Sequence, residues 1–551
     1  MADNIKLVTK EYVDTELSTK ANKVISNMSY ESFIDTYHLR EPEWVDLSFV
    51  GGEYYYTDFN TAVTDVNNGN TASASSNKTG AVCQIFTDGN IVVLRLLSDI
   101  TITTNIVFTK SAIFDINGFT VNIRDSGRIG SQTVAYDISV IFYGVKTNSN
   151  ITSTNMLVMF ASTSNLFLIG GKYNINSSLA GAYIVYVPPY NIPINVEICN
   201  AELQVIYNNP QSTNNISCVI ITNKTSITNL LINNTRCVTN GTNRYTYAYI
   251  TTTAANPETK VTILNSDIEA YGADQSDNSP CGILISAGYA NIINSNIKGI
   301  TSSINVGRQG TVYIKDSKCY APYHGGIYNA HILYAENTEF HRSATPEGYT
   351  PSGAGCAYFG YGSTAYLNNC KFIRDVESDT SPGIVVRKEG TPEGETTRVF
   401  VSNSEMPSIR CDADQEIYLG NGISDIIKNA TVQGTKYLTD NNYVYIEESN
   451  TAYSLLNPNA IVANQSYVTT ELEKKQDKFA DIRSDTTYDI LRGTKNVLGF
   501  ANNTEEASII ALAPSSIILQ YNATGTEGLS NIFFLNNRVA KFTTTGTNTY
   551  L

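Results

Sequence analysis

Tryptophan occurs once in 551 residues, methionine five times and histidine four times, and charged residues make up only 16% of the chain. Basic residues are outnumbered, giving a formal net charge of -14. That excess argues against a nucleic-acid partner, whose backbone needs a basic stripe. No apolar run reaches membrane-spanning length, so no membrane insertion is expected. The first residues, Met1 to Tyr12, lack the apolar centre of a signal peptide, which implies synthesis in a reducing cytoplasm. The nine cysteines contain no CxxC pair, and no HExxH, zinc-finger or phosphate-binding glycine pattern occurs. The thiols read as small buried hydrophobes, and neither a metal nor a cofactor is expected.

What the chain does have is tyrosine and glycine, 36 and 37 residues, and a repeat. The template reads apolar, any, apolar, any, Asn or Asp, Ser/Thr/Cys, any, apolar. It runs Val261 to Ile268, Val312 to Cys319, Leu333 to Phe340, Ala365 to Phe372 and Val399 to Met406. A shorter match covers Ile292 to Ile297, and Leu230 to Cys237 fits upstream. Val196 to Leu203 fits except for Ala201, and Leu166 to Tyr173 carries Gly170-Gly171 at the turn. The anchors at 170, 200, 234, 265, 294, 316, 337, 369 and 403 lie 21 to 34 residues apart.

Alternation followed by a turn residue and one more apolar residue describes a half-buried strand, a bend and the next strand. Such a strand is unstable alone but not when stacked on copies about 4.8 Å away. A second strand precedes many units, for example Ala182 to Tyr186 and Cys218 to Ile221. No helical periodicity recurs in these intervals, so an all-β parallel solenoid is expected in preference to a doubly wound α/β fold or a sandwich. Stacking predicts a ladder of Asn265, Asn294, Asp316, Asn337, Asn369 and Asn403 at one corner. It also predicts an exposed row of Lys318, Glu339, Lys371 and Glu405, alternating in sign.

Candidate catalytic residues are Asp375, Glu377 and Asp379 in one acidic loop, and Glu339 two residues from His341. Asp274 and Asp277 share another loop. Paired carboxylates suit glycoside hydrolysis, but loops between strands also carry charge simply because they are solvated. His324 and His331 follow no metal-binding spacing.

Two further features carry resemblances. Glu53 to Phe59, leading through a polar Ser/Asn/Gly-rich loop to Ile91 to Leu94, then Ile100 to Ile102 and Ile113 to Val121, with its Asn117-Gly118 turn, resemble the opening of pectate-lyase-like right-handed β-helices. That superfamily includes lyases, hydrolases and adhesins, so it implies a fold and not an activity. Tyr12 to Lys23 also matches Tyr467 to Lys478 without a gap. Each copy places apolar residues on a narrow helical stripe: Val13, Leu17 and Val24, then Val468, Leu472 and Phe479. A helix this short is marginal alone, and self-association into a short coiled coil would bury the stripe. These segments resemble those that recur between modules of bacteriophage fibre and tailspike proteins.

The resemblance implies a homotrimer on the virion surface, made in the host bacterial cytoplasm. It would join other virion proteins through residues 1–40 and bind a host-surface polysaccharide or protein. A tailspike depolymerase is the enzymatic alternative. The expected order is an anchor with its helix (1–40), parallel β-helix (41–425), transition segment (426–465), short helix (466–483) and a small β domain (484–551).

Overall fold

The computed structural model describes residues 53–438, apart from short stretches at 89–90, 156, 180, 209–215, 242–249, 253–254, 272–280, 323–325, 330, 345–354 and 389. Beyond 438 it describes only strands between 443 and 541. The two copies of the helical stripe, with Val13, Leu17, Val24, Val468, Leu472 and Phe479, lie outside the described residues, as do Asp274, Asp277 and His324.

The chain is all-β. Long parallel sheets dominate it, one of 11 strands and another of 26, in the pattern a solenoid makes. Over much of the stack three strands form each circuit. Ala182–Val187, Ile194–Cys199 and Glu202–Tyr207 pair in parallel with Ile216–Ile221, Thr228–Asn233 and Arg236–Gly241. The first template position forms an unbroken interior row, Leu166, Val196, Leu230, Val261, Ala290, Val312, Leu333, Ala365 and Val399, in direct register. Each is buried, and burying a Val or Leu side chain fully stabilises by about 1.5–3 kcal/mol.

The stack opens with antiparallel strands, Tyr54–Tyr56, Cys83–Asp88 and Ile91–Leu96. Between the first two lies a helix, Phe59–Asn68, where the sequence reading placed a polar loop. Its signals are local. The Asp58 carboxylate accepts from Thr61 N at 2.8 Å, Phe59, Ala62, Val63 and Val66 repeat at helical spacing, and Gly69 ends it at φ 67°. The Asp65 carboxylate of this helix takes the Tyr56 hydroxyl (3.1 Å) and Ser73 N (2.8 Å), fixing it across the first strand.

At the other end the parallel stack runs past residue 425. Thr435–Leu438 pairs in parallel with Glu416–Leu419, following a short helix at Asp425–Asn429. The segment expected to be a transition also holds a three-stranded sheet, Tyr443–Ile446, Thr451–Ser454 and Ile461–Val462. A separate five-stranded sheet includes Ile517–Tyr521 and Leu529–Phe534, within the stretch expected to form the small β domain.

All nine cysteines are buried free thiols. Burial pushes Cys319 and Cys370 up to about 12, because a thiolate there would lose its hydration. A thiol reagent at pH 8 is therefore expected to find essentially no reactive group in the native protein and all nine after denaturation. Rapid reaction of a native thiol would contradict this packing.

Candidate functional site

The turn after each template strand is built by two stacked rows. Asn200, Asn234, Asn265, Asn294, Asp316, Asn337, Asn369 and Asn403 all sit at φ between 46° and 54°, a conformation asparagine and aspartate tolerate best after glycine. Their amides bond along the stack: Asn234 Nδ2 to Asn200 Oδ1 (2.6 Å), Asn294 to Asn265 (2.7 Å), Asn337 to Asp316 (3.0 Å) and Asn369 to Asn337 (2.7 Å). Two rungs slip by one residue, where Asn265 donates to Asn233 and Asn403 to Asn368.

The next position explains its Ser/Thr/Cys requirement. Ser266 Oγ donates to Leu264 O (2.6 Å) while accepting Thr235 N (3.2 Å). Ser295 and Ser317 repeat the arrangement with Ser266 N (3.1 Å) and Ser295 N (3.2 Å). Only a small group that can both donate and accept fits this buried corner, and Cys370 Sγ fills it by donating to Asn368 O.

Outside this corner runs the charged row. Lys318, Glu339 and Lys371 are in direct register, and Glu405 follows by a single bridge. Lys318 Nζ lies 3.0 Å from Glu339 Oε2. The row extends upstream through Lys172, Glu202, Arg236 and Asp267.

Three of the five candidate catalytic residues meet here. His341 Nδ1 faces Asp375 Oδ1 at 2.8 Å, and its Nε2 faces Glu339 Oε2 at 3.2 Å. The ring stacks on Tyr320 at 4.4 Å. The hydrogen bond from Lys318, with a further one from His341, holds the Glu339 carboxyl below its usual range despite some desolvation. Asp379 belongs elsewhere: Arg342 Nε lies 2.9 Å from it, and Ser381 N donates to it at 2.9 Å. Desolvation opposes its charged form, but these hydrogen bonds and the two nearby arginines outweigh it and leave the carboxyl lowered. Glu377 is exposed and does not join either group. A glycosidase acid needs a raised carboxyl opposite a second carboxylate, and the cations around Glu339 and Asp379 do the opposite.

A raised carboxyl occurs at Glu197. In its outward row its register neighbours are Phe167 and Leu231, and Cys199 Sγ donates to it at 3.4 Å. Burial among these groups pushes it up to about 7. The native state therefore binds a proton that the unfolded chain has released between about pH 4.5 and 7, so this group's contribution to stability is present at low pH and falls as pH rises through that window. Replacing Glu197 by Gln is expected to flatten that part of the stability profile and to raise stability at pH 8 relative to the parent. An unchanged slope between pH 5 and 8 would refute the assignment.

Sequence reasoning missed a polar groove of ≈ 840 Å³ beside the amide corner. It opens where the template fails. Gly170-Gly171 occupies the anchor and hydroxyl positions of one circuit, and Ala201 the hydroxyl position of the next. Glycine is needed because backbones crowd there: a Cβ on Gly170 would lie 3.0 Å from Val145 Cα, and one on Gly144 would lie 2.9 Å from Gly171 Cα. Charge enters from Lys146, Lys172, Glu202, Arg236 and Asp267. Lys172 Nζ pairs with Glu202 at 3.0 Å, but Arg236 reaches Glu202 and Glu269 only at 3.6 and 3.7 Å. The available signal was the interruption of the Asn template at 170–171.

Outward aromatic side chains stack on one another along the solenoid. Tyr334, Tyr366, Phe400, Tyr418 and Tyr437 form a column with centroid spacings of 4.4 to 5.0 Å. Tyr366 and Phe400 are buried in it, and Tyr437 is exposed.

Fold and groove together define an all-β protein of long parallel sheets with a polar, mixed-charge trough at one corner. No protein-family model and no curated protein matches the sequence.

Proposed function

We propose that the chain is a right-handed parallel β-helix serving as the shaft of a bacteriophage fibre. In this reading it is a homotrimer that projects from the virion and attaches to a host-surface glycan without cleaving it. The observation that carries the reading is the corner itself, where amide and hydroxyl rows tie circuit to circuit from Asn200 to Asn403. Such an unbroken stack suits a rigid spacer. The matched helical stripes at 12–23 and 467–478 support trimerisation, and residues 1–40 would contact other virion proteins.

The noncatalytic form is preferred because Glu339 and Asp379 are both lowered by cationic or hydrogen-bonding neighbours, while the raised Glu197 lies between apolar rungs. Sedimentation equilibrium of the full chain at micromolar concentration is expected to give a trimer; a stable monomer would count decisively against the fibre. Incubation with surface polysaccharides is expected to show binding with no fall in polymer length. Shortening of the polymer would replace this reading with the depolymerase.

A further inference from the structure

We propose that the groove beside Gly170-Gly171 binds a carboxylate-bearing saccharide chain running along the stack, with the Arg236 guanidinium gripping the carboxylate. The assignment rests on the attachment reading above and names its site and ligand class.

Size comes first. A volume of ≈ 840 Å³ lies within the roughly 300–1,000 Å³ range of small-ligand sites. Its lining is amide, hydroxyl, charged and glycine, which suits a ligand covered in hydroxyls and offers little to an apolar one. Period is the second argument. Asn200, Asn234 and Asn265 enter the groove from successive circuits, so equivalent groups recur at about 4.8 Å, roughly the length of one pyranose in a chain.

Unspent hydrogen-bonding groups are the third. Among the described residues Asn200 Nδ2 has no acceptor, because the preceding circuit offers Gly170 where an asparagine would stand. Among the same residues Asn234 Oδ1 has no donor, because Asn265 turns to Asn233 instead. One amide thus offers a donor and the next an acceptor, the complement a sugar hydroxyl requires.

Charge decides the class. Three cations and two carboxylates line the groove, a local positive excess in a chain of net charge -14. Lys172 is engaged by Glu202, whereas Arg236 is half exposed and its two carboxylate contacts are too long for hydrogen bonds. Its planar fork can therefore take a carboxylate bidentately. A polyphosphate or nucleic acid would bring several charges against Glu202 and Asp267, so isolated carboxylates spaced by neutral hydroxyls fit better.

The test is calorimetric titration of the full-length protein with a panel of uronate and sialate oligomers, their methyl esters and inorganic phosphate. Acidic oligomers are expected to bind, with the esters at least about tenfold weaker. Arg236→Lys should lose about tenfold and Arg236→Gln more. Lys371→Gln, on the same charged row but outside the groove, should bind as the parent does. Equal binding of acid and ester, unchanged binding by Arg236→Gln, or phosphate binding as well as the oligomers overturns the assignment. If the parent and Arg236→Gln adsorb equally to a surface glycan, the groove falls and the attachment reading stands; if the parent binds no glycan, both fall.

Discussion

Replacing Phe340 by alanine is expected to cost about 3–5 kcal/mol, the usual range for removing a fully buried phenylalanine. Phe340 is inaccessible to solvent and stacks on Phe372 at 5.3 Å. In register on its other side is the small Cys319. The ring also crosses Gly326, whose absent Cβ would lie 2.8 Å from Phe340 Cδ1. Neither neighbour can expand into the space, so the cavity would persist. Because each circuit contacts chiefly the circuits on either side, the damage should be local before it is global. Hydrogen exchange should show lost protection first in the strands around 318–342 and 371–374, with a lowered denaturant midpoint. Phe340→Leu should recover most of the loss. A penalty below about 1 kcal/mol would mean that this ring is not packed as described.

The second large effect concerns the turn. Asn369 combines φ of 52° with an amide bond of 2.7 Å to Asn337. Alanine there must adopt the left-handed region at about 1–2 kcal/mol and also loses a bond worth about 1 kcal/mol, so a total near 2–3 kcal/mol is expected. Glycine accepts the backbone freely and should lose only the bond and some chain entropy, about 1–2 kcal/mol. The two variants separate backbone from ladder in one unfolding experiment. If alanine is as well tolerated as glycine, the positive φ is not what selects asparagine.

These two sites differ in how plainly the chain announces them. The anchors were readable because a residue that must take positive φ has few alternatives, and the same few recur at 265, 294, 316, 337, 369 and 403. The charged row was readable because strand alternation fixes which face each side chain takes, and Lys318 does meet Glu339. The helix at Phe59–Asn68 has a local cap and spacing, but the Asn-, Gly- and Ser-rich run that follows it carries the stronger loop signal.

Other features were beyond local reasoning. His341 meets Asp375 across 34 residues, and only the register of stacked strands brings them together. Glu197 looks like any solvent-facing strand residue until its neighbours on adjacent rungs prove to be Phe167 and Leu231. The groove depends on what two successive circuits lack at one corner, which a template built from positive matches cannot register.

The rows that bind circuit to circuit also set the response to mechanical load. Backbone hydrogen bonds in this stack point along its length, so a pull in that direction opens them end-on, one rung at a time. The side-chain amides of the asparagine row and the column of stacked rings from Tyr334 to Tyr437 point the same way and share that tension. A sideways push must instead slide many rungs at once. The stack should therefore resist bending far better than peeling, and its weaker seams under traction should be those without an amide rung, at glycines 170 and 171 and between Asn294 and Asp316.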